Sequence, residues 1–237
     1  MIRIAAVADL HVSLSTPGRI AGRFRGVNEV ADVLLLPGDL TDTGRVSEAQ
    51  LLLNELSDVT IPIFAVIGNH DQASGQVNAL LRTFEDADVQ VLNGDVGILE
   101  LGKQTLGIVG TKGTGGGFGK SVFPVRFEPA LEVWSREAIR EAAKIARCLE
   151  TLHTDFRIVM LHYAPIRETV IGENPEDFPF MGTSLLSEPI DLHGADLVIH
   201  GHSHHGTLQA STPRGIPVYN VAASLLEVPY LILELGK

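Results

Sequence analysis

Cysteine and basic residues are both scarce in this chain of 237 residues. The single cysteine, Cys148, excludes an internal disulfide and a zinc site built from cysteines, which favours a reducing compartment. The 18 Lys and Arg against 29 Asp and Glu give a formal net charge of −11, the opposite of the basic surface that holds a nucleic-acid backbone. We therefore expect no nucleic-acid partner, and any metal must be bound by His, Asp, Glu or Asn.

Long apolar runs are also absent. None approaches the roughly 20 residues needed to cross a bilayer, so we expect no membrane association. The apolar stretch at residues 4–8 is shorter than the core of a secretion signal, which has about 7 to 15 residues. We predict a cytoplasmic protein that forms one domain over residues 1–237, because 45% hydrophobic residues suffice for one sizeable core. The sequence contains no signal for an oligomeric state.

Short apolar runs alternate with helical patterns along the chain. The runs have the continuous hydrophobicity of strands covered on both faces, and they lie at residues 2–8, 33–36, 61–67, 158–161 and 197–199. Helical patterns span residues 47–56, where Ser47 and Gln50 predict a capping box, and a longer stretch that begins at Pro129. Cys148 falls on the apolar face of the second pattern, where we interpret it as a buried, inert thiol. The alternation predicts an α/β fold.

Antiparallel strand pairing is expected as well. Asn93-Gly94 separates the runs 89–92 and 98–101 and predicts a hairpin. Further strand-like stretches lie near the end of the chain, at residues 207–210, 217–221 and 230–235. We therefore predict two mixed sheets between helices instead of one doubly wound sheet.

The predicted buried strands end at residues that can bind metal. Leaving these strands, the chain reaches in turn Asp9, Asp39, Asn69, His162 and His202. Open α/β sheets gather their sites at the carboxyl ends of strands, so these residues are expected to converge. Seven of the nine histidines lie in the same segments. We interpret four histidines as ordinary core or surface residues: His153, His193, His200 and His205. Of these, His200 and His205 are also candidates for hydrogen bonding to the metal ligands.

The number of candidate ligands predicts two ions. Seven side chains are candidates: Asp9, His11, Asp39, Asn69, His162, His202 and His204. This set exceeds one tetrahedral zinc site and fits two divalent ions that share a carboxylate, with Mn, Fe, Zn or Co favoured over Ca by the mixed imidazole and oxygen ligands. Two ions about 3.5 to 4 Å apart activate a water and bind a phosphoryl group.

Five sequence blocks carry a resemblance to a known family. In order they are Asp9-Leu-His11, Gly38-Asp39, Gly68-Asn69-His70-Asp71, His162 and Gly201-His202-Ser-His204. They resemble the five blocks of the calcineurin-like metallophosphoesterase superfamily and span residues 9–204. The resemblance implies an αββα sandwich and in-line attack by a hydroxide that bridges the ions. It also implies that one ion is held by Asp9, His11, Asp39 and His204 and the other by Asp39, Asn69, His162 and His202.

The resemblance assigns two further residues a part in catalysis. His70 corresponds to the histidine that stabilises or protonates the leaving oxygen, and Asp42 to the carboxylate that orients this histidine. The alternative for Asp42 is a helix-cap or turn carboxylate ahead of the helix at residues 47–56. We interpret Asp71 as a supporting residue.

Several substrate classes remain open within the superfamily. The segment from Gly38 to Gly44 lacks the arginine of the Ser/Thr protein phosphatases, and His70 replaces the arginine usual in the lipid A pathway pyrophosphatases. A small phosphodiester is our first choice, because no block contains Lys or Arg to hold the second charge of a monoester. Loop residues could supply such a cation: Lys112, Lys120 or Arg167. The alternatives are a phosphomonoesterase acting on a metabolite or nucleotide, and a non-catalytic scaffold on the same fold.

Two loops lie outside the blocks. The glycine-rich residues 110–121 lack the spacing of a P-loop, and we expect a flexible loop over the site entrance, or a purely structural one. Residues 163–194 leave the site directly after His162, and we expect them to form a lid or a wall of the substrate pocket.

Overall fold

The computed structural model describes residues 1–16, 18–123 and 129–236. Within these ranges two mixed β-sheets pack face to face and helices cover their outer faces. The predicted αββα sandwich is confirmed.

The first sheet contains strands from both ends of the chain. Its order is β11-β1-β2-β3-β4, with β1 parallel to β2, β2 to β3 and β3 to β4, and with β11 antiparallel to β1. The strands are β1 (Ile2–Ala6), β2 (Val33–Pro37), β3 (Ile63–Val66), β4 (Val89–Val91) and β11 (Leu231–Leu235).

The second sheet has a parallel centre and antiparallel edges. Its order is β5-β6-β7-β8-β10-β9, with β5 antiparallel to β6 and β9 antiparallel to β10. The strands are β5 (Asp95–Leu101), β6 (Gln104–Thr111), β7 (Phe156–Leu161), β8 (Leu197–His200), β9 (Gln209–Ser211) and β10 (Pro217–Asn220).

The α-helices fall into two groups. Near the first sheet are α1 (Val27–Val30), α2 (Val46–Leu56) and α3 (Val77–Glu85). The later helices are α4 (Pro129–Thr151), α5 (Phe178–Met181) and α6 (Ser187–His193). Short 3-10 turns occupy His70–Gln72, Gly119–Ser121, Arg167–Val170 and Ser184–Leu186.

The alternation of β2 shows how the layers are held together. Its side chains are all buried: Val33 and Leu35 face the core between the sheets, whereas Leu34 and Leu36 pack in the core that includes residues of α2 and α3. Burial on both faces explains why the strand reads as one continuous apolar run. Residues of α4 and α6 cover the outer face of the second sheet, where Cys148 is buried as predicted.

Two local predictions are wrong. Asn93-Gly94 does not close a hairpin, because β4 pairs in parallel with β3 in the first sheet and β5 begins the second sheet. The capping box of Ser47 and Gln50 is also wrong, since α2 begins one residue earlier and the Glu48 carboxylate accepts the N–H of Arg45 at 3.2 Å. The strands predicted near the end of the chain are present as β9, β10 and β11, with the antiparallel pairing expected.

No helix among the described residues is long and apolar enough to cross a membrane.

Candidate metal centre

The predicted ligands converge at the carboxyl ends of strands from both sheets. Asp39 follows β2 and lies at the centre of the cluster. Its Oδ1 is 3.4 Å from Nε2 of His162, and its Oδ2 is 3.7 Å from Nε2 of His11. The two oxygens of one buried carboxylate therefore face two different groups of ligands.

The first group consists of Asp9, His11 and His204. Nε2 of His204 lies 3.3 Å from Oδ1 of Asp9 and 3.3 Å from Nε2 of His11. One ligand atom from each of the three residues falls within 4.8 Å of the others. This spacing matches a site where all three bind one cation.

The second group consists of Asp39, His162 and His202, with Asn69 beside them. Nδ1 of His162 lies 3.0 Å from the carbonyl oxygen of Pro37, which can only accept a hydrogen bond, so Nδ1 carries the proton. Nε2 of His162 lies 3.0 Å from Oδ1 of Asn69 and 3.4 Å from Oδ1 of Asp39. An imidazole nitrogen, an amide oxygen and a carboxylate oxygen gathered this closely are ligand types that divalent metals accept, and the Pro37 carbonyl orients the imidazole, so the donor set fits a metal ion.

His202 is oriented by the segment after β7. Its Nε2 lies 3.2 Å from the carbonyl oxygen of Phe180, and its ring lies 4.3 Å, centroid to centroid, from that of Tyr163. A proton donated to the Phe180 carbonyl leaves Nδ1 of His202 with a free lone pair. Tyr163 and Phe180 thus place two parts of the segment 163–194 beside the centre.

Backbone strain is concentrated at the centre. Of the five non-glycine residues with left-handed φ among those described, four are predicted ligands: Asp9 (57°), His11 (43°), Asp39 (48°) and His202 (70°). Each such residue costs about 1 to 3 kcal/mol and persists only where its surroundings impose it. Main-chain hydrogen bonds impose it here, from Asp9 N–H to the carbonyl of Gly38 and from His11 N–H to that of Asp39, both 3.0 Å long.

Two glycines allow the carboxylates to approach. A Cβ at Gly68 would lie 2.0 Å from Oδ1 of Asp39, and one at Gly201 would lie 2.4 Å from Oδ2 of Asp9. Neither glycine has a left-handed φ, so its role is close contact and not a sharp turn. Gly38 differs, because it has a left-handed φ of 83° and a Cβ there would also collide with the ring of His162.

His70 and Asp42 lie at the more exposed rim of the centre. Their side chains are 42% and 41% exposed, against 1% for the side chain of Asp39. Nδ1 of His70 donates to the carbonyl oxygen of Asp42 at 2.7 Å, while the Asp42 carboxylate lies 3.9 Å from this nitrogen and 3.7 Å from Nδ1 of His11. Asp42 therefore contacts the histidine chiefly through its main chain. It does not cap α2, which begins after Arg45.

Asp71 is fully buried and ties together two ligand-bearing segments. Its carboxylate accepts the N–H groups of Leu40, Thr41 and Gly68 at 3.2, 2.8 and 2.8 Å and the Thr41 hydroxyl at 2.6 Å. Burial, and after it the charge of Asp39, raises the pKa of the Asp71 carboxyl, and the hydrogen bonds from Gly68 and Thr41 oppose that shift. The residue joins the segment after β2 to the segment after β3.

Burial and hydrogen bonds shift the pKa values of several predicted ligands. Burial lowers the pKa of His11 to about 4 and that of His202 to about 3. The hydrogen bond to Asp9 instead raises the pKa of His204. Burial opposes ionisation of Asp9, but the hydrogen bond from His204 and the nearby His162 hold the pKa of Asp9 below its ordinary value. Burial, together with Asp9, raises the pKa of Asp39, so this carboxylate gains most from a bound cation.

The glycine-rich loop is largely packed against the rest of the protein. Residues 113–118 are buried and residues 119–121 are exposed, and a Cβ at Gly115 would collide with the main chain of Pro179 and Phe180. This burial favours the structural alternative for residues 113–118.

A cleft of about 690 Å³ is lined by Phe178 and Pro179 and also by Lys120 and Arg167. Its lining includes none of the predicted ligands.

Sequence reasoning missed three residues that shape this region. Tyr163 packs against His162 and His202, the Phe180 carbonyl orients His202, and Glu141 is 1% exposed within α4. Only Glu141 could have been recognised in the sequence, because it is a charged residue on an otherwise apolar helix face. The other two act through contacts between distant segments.

Comparison with known proteins identifies the family. The calcineurin-like phosphoesterase family matches residues 2–206. No curated protein sequence matches the chain. The chain therefore belongs to the calcineurin-like phosphoesterase family, whose members hydrolyse phosphate esters and typically bind divalent metals.

Solved structures agree with this fold. Phosphopantetheinyl hydrolase (PptH) from Mycobacterium tuberculosis is 16% identical with a TM-score of 0.70, over 97% of this chain and 95% of that one. TT1561 from Thermus thermophilus is 15% identical with a TM-score of 0.56, over 92% and 88%. A putative 5′-nucleotidase from Staphylococcus aureus is 16% identical with a TM-score of 0.56, over 92% of this chain but 48% of that one. At these identities the likeness shows the fold alone.

Proposed function

We propose that this protein is a phosphodiesterase that holds two divalent ions between its two sheets. The observation that carries the proposal is the Asp39 carboxylate, whose two oxygens face two separate groups of ligands. A shared carboxylate is what a dinuclear site requires. Asp9, His11, Asp39 and His204 would hold one ion, and Asp39, Asn69, His162 and His202 the other.

The ions and the residues at the rim would have different roles in the reaction. When bound, the ions would activate the attacking water and offset charge on the phosphoryl oxygens. His70 donates Nδ1–H to the Asp42 carbonyl, so its Nε2 is the nitrogen available to a substrate at the rim. A protonated Nε2 would donate to the leaving oxygen, and the Asp42 carboxylate at 3.9 Å would stabilise the imidazolium.

The charge of the centre supports a diester. A diester carries one negative charge at its phosphorus, whereas a monoester carries about two. The surroundings already contain the carboxylates of Asp9, Asp39, Asp42 and Asp71. Extra cations would be needed for the second charge, and the five blocks have none.

Metal analysis combined with two chromogenic esters tests the proposal. With Mn²⁺ at one pH, kcat/KM for bis(p-nitrophenyl) phosphate should exceed that for p-nitrophenyl phosphate. The reverse order would make the protein a phosphomonoesterase. Two bound ions without hydrolysis of either ester would instead favour the non-catalytic scaffold.

A further inference from the structure

A lysine, Lys112, stands beside the second ligand group. Lys112 follows β6, and its Nζ lies 5.0 Å from the centroid of the Tyr163 ring. That ring lies against the rings of His162 and His202, at centroid distances of 5.4 and 4.3 Å. Among residues 1–16, 18–123 and 129–236, no carboxylate is within ion-pair distance of this ammonium; the nearby Glu141 pairs with Lys144 instead.

The main chain fixes Lys112 to the metal centre. Its carbonyl oxygen accepts the N–H groups of His162 and Tyr163 at 3.0 and 3.1 Å. The buried Glu141 carboxylate accepts the Thr111 hydroxyl at 2.6 Å and the Gly113 N–H at 2.7 Å, on either side of the lysine. The backbone of Lys112 is therefore held rigidly next to a predicted ligand.

The ammonium of Lys112 is partly desolvated and has carboxylates near it but not in contact with it. Burial lowers its pKa, an effect that Glu141, Glu137 and Asp39 oppose and Lys144 reinforces. A half-buried cation beside an aromatic ring gains when an anion binds to it. The other two loop cations lie elsewhere, since Lys120 and Arg167 line the cleft at Phe178.

We infer that Lys112 binds a second negative charge of the substrate next to the scissile phosphate. This inference rests on the proposed hydrolysis of phosphate esters at the metal centre and adds a second charge to the substrate; a monoester as its source would replace the phosphodiesterase assignment. The second charge has two sources to distinguish: the additional charge of a phosphomonoester, or a separate phosphate on a diester. Both place an anionic oxygen near a cation that is already positioned, as charge-assisted recognition requires.

The test compares Lys112→Gln with wild type on four esters and Mn²⁺. The first pair is p-nitrophenyl phosphate and bis(p-nitrophenyl) phosphate. The second pair is thymidine 5′-(p-nitrophenyl phosphate) with and without a 3′-phosphate. In Lys112→Gln, kcat/KM should fall about tenfold or more for the member of one pair with the extra charge and stay within about twofold for its partner. The pair that responds identifies the source of the charge.

Matched variants and a binding measurement complete the test. Lys112→Arg should restore most of the lost efficiency, and Lys103→Gln, in the exposed turn between β5 and β6, should change nothing. Calorimetry with inorganic phosphate on the metal-loaded protein should show about tenfold weaker binding in Lys112→Gln. Equal losses on all four esters, or unchanged phosphate binding, would overturn the inference. If wild type hydrolyses no ester, the proposed function fails, while the phosphate measurement still decides the role of Lys112.

Discussion

Replacement of Asp71 by Asn tests how the ligand segments are held in place. The carboxylate has two donors on each oxygen: Leu40 and Gly68 N–H on Oδ2, and Thr41 N–H and hydroxyl on Oδ1. An amide nitrogen in place of Oδ2 would face two N–H groups. In place of Oδ1 it would face one N–H, because the Thr41 hydroxyl can turn to accept.

The second arrangement is the better one, and it leaves one buried N–H without an acceptor. That loss costs about 1 to 3 kcal/mol, and the remaining bonds lose their charge assistance, whereas a neutral amide removes the repulsion by Asp39 and part of the cost of burying a charge. The opposing effects leave a net decrease in the free energy of unfolding of about 1 to 3 kcal/mol for Asp71→Asn. Urea denaturation of the chelated protein measures the change, with Asp58→Asn, at an exposed position, as the control. A loss below about 1 kcal/mol would refute the assignment of Asp71 as the link between the two segments.

Three further results are expected. Asp39→Ala should lose both ions in metal analysis, because its two oxygens face both ligand groups; one ion kept at full occupancy would contradict a shared carboxylate. His70→Ala should keep its ions and lose turnover by roughly 10²- to 10⁴-fold, less for p-nitrophenolate than for an alkoxide leaving group; equal losses would mean that His70 positions the phosphoryl group instead. Burial lowers the pKa of His200 from 6.5 to about 4, so the unfolded chain binds a proton that the folded chain excludes, and stability falls by about 3 kcal/mol between pH 6.5 and 4. In the chelated His200→Gln variant this part of the loss should vanish from urea unfolding curves; identical curves for both proteins would show that His200 is protonated in the fold.

The features that could be predicted from the sequence are those that depend on a single strand. The apolar run at residues 33–36 is buried on both faces, and Asp39 follows it at the predicted edge of the sheet. Strand burial and the identity of the residue at the strand end are both local properties, so they can be predicted from the local sequence.

Contacts between distant segments explain why the local sequence was insufficient at Asn93-Gly94 and in the glycine-rich loop. Asn93-Gly94 has the composition of a hairpin turn, but Leu92 and Phe64 lie in the core between the sheets, and the chain changes sheet at this point. Gly115 is required by the main chain of Pro179 and Phe180, more than 60 residues later. Neither partner can be identified from the local sequence.

The positions of the ligands have a consequence for the relation between the sheets. Asp9, His11, Asp39 and Asn69 follow strands of the first sheet, and His162, His202 and His204 follow strands of the second. Each ion of the proposed pair would have ligands from both, so each would act as a cross-link between the sheets in addition to the apolar packing and the few hydrogen bonds that join them here. The ligands come together only in the folded chain, so a bound ion would stabilise the folded state over the unfolded one, and this cross-link is reversible. Metal supply would thus set how firmly the two halves of the protein are held together, in addition to any part it has in catalysis.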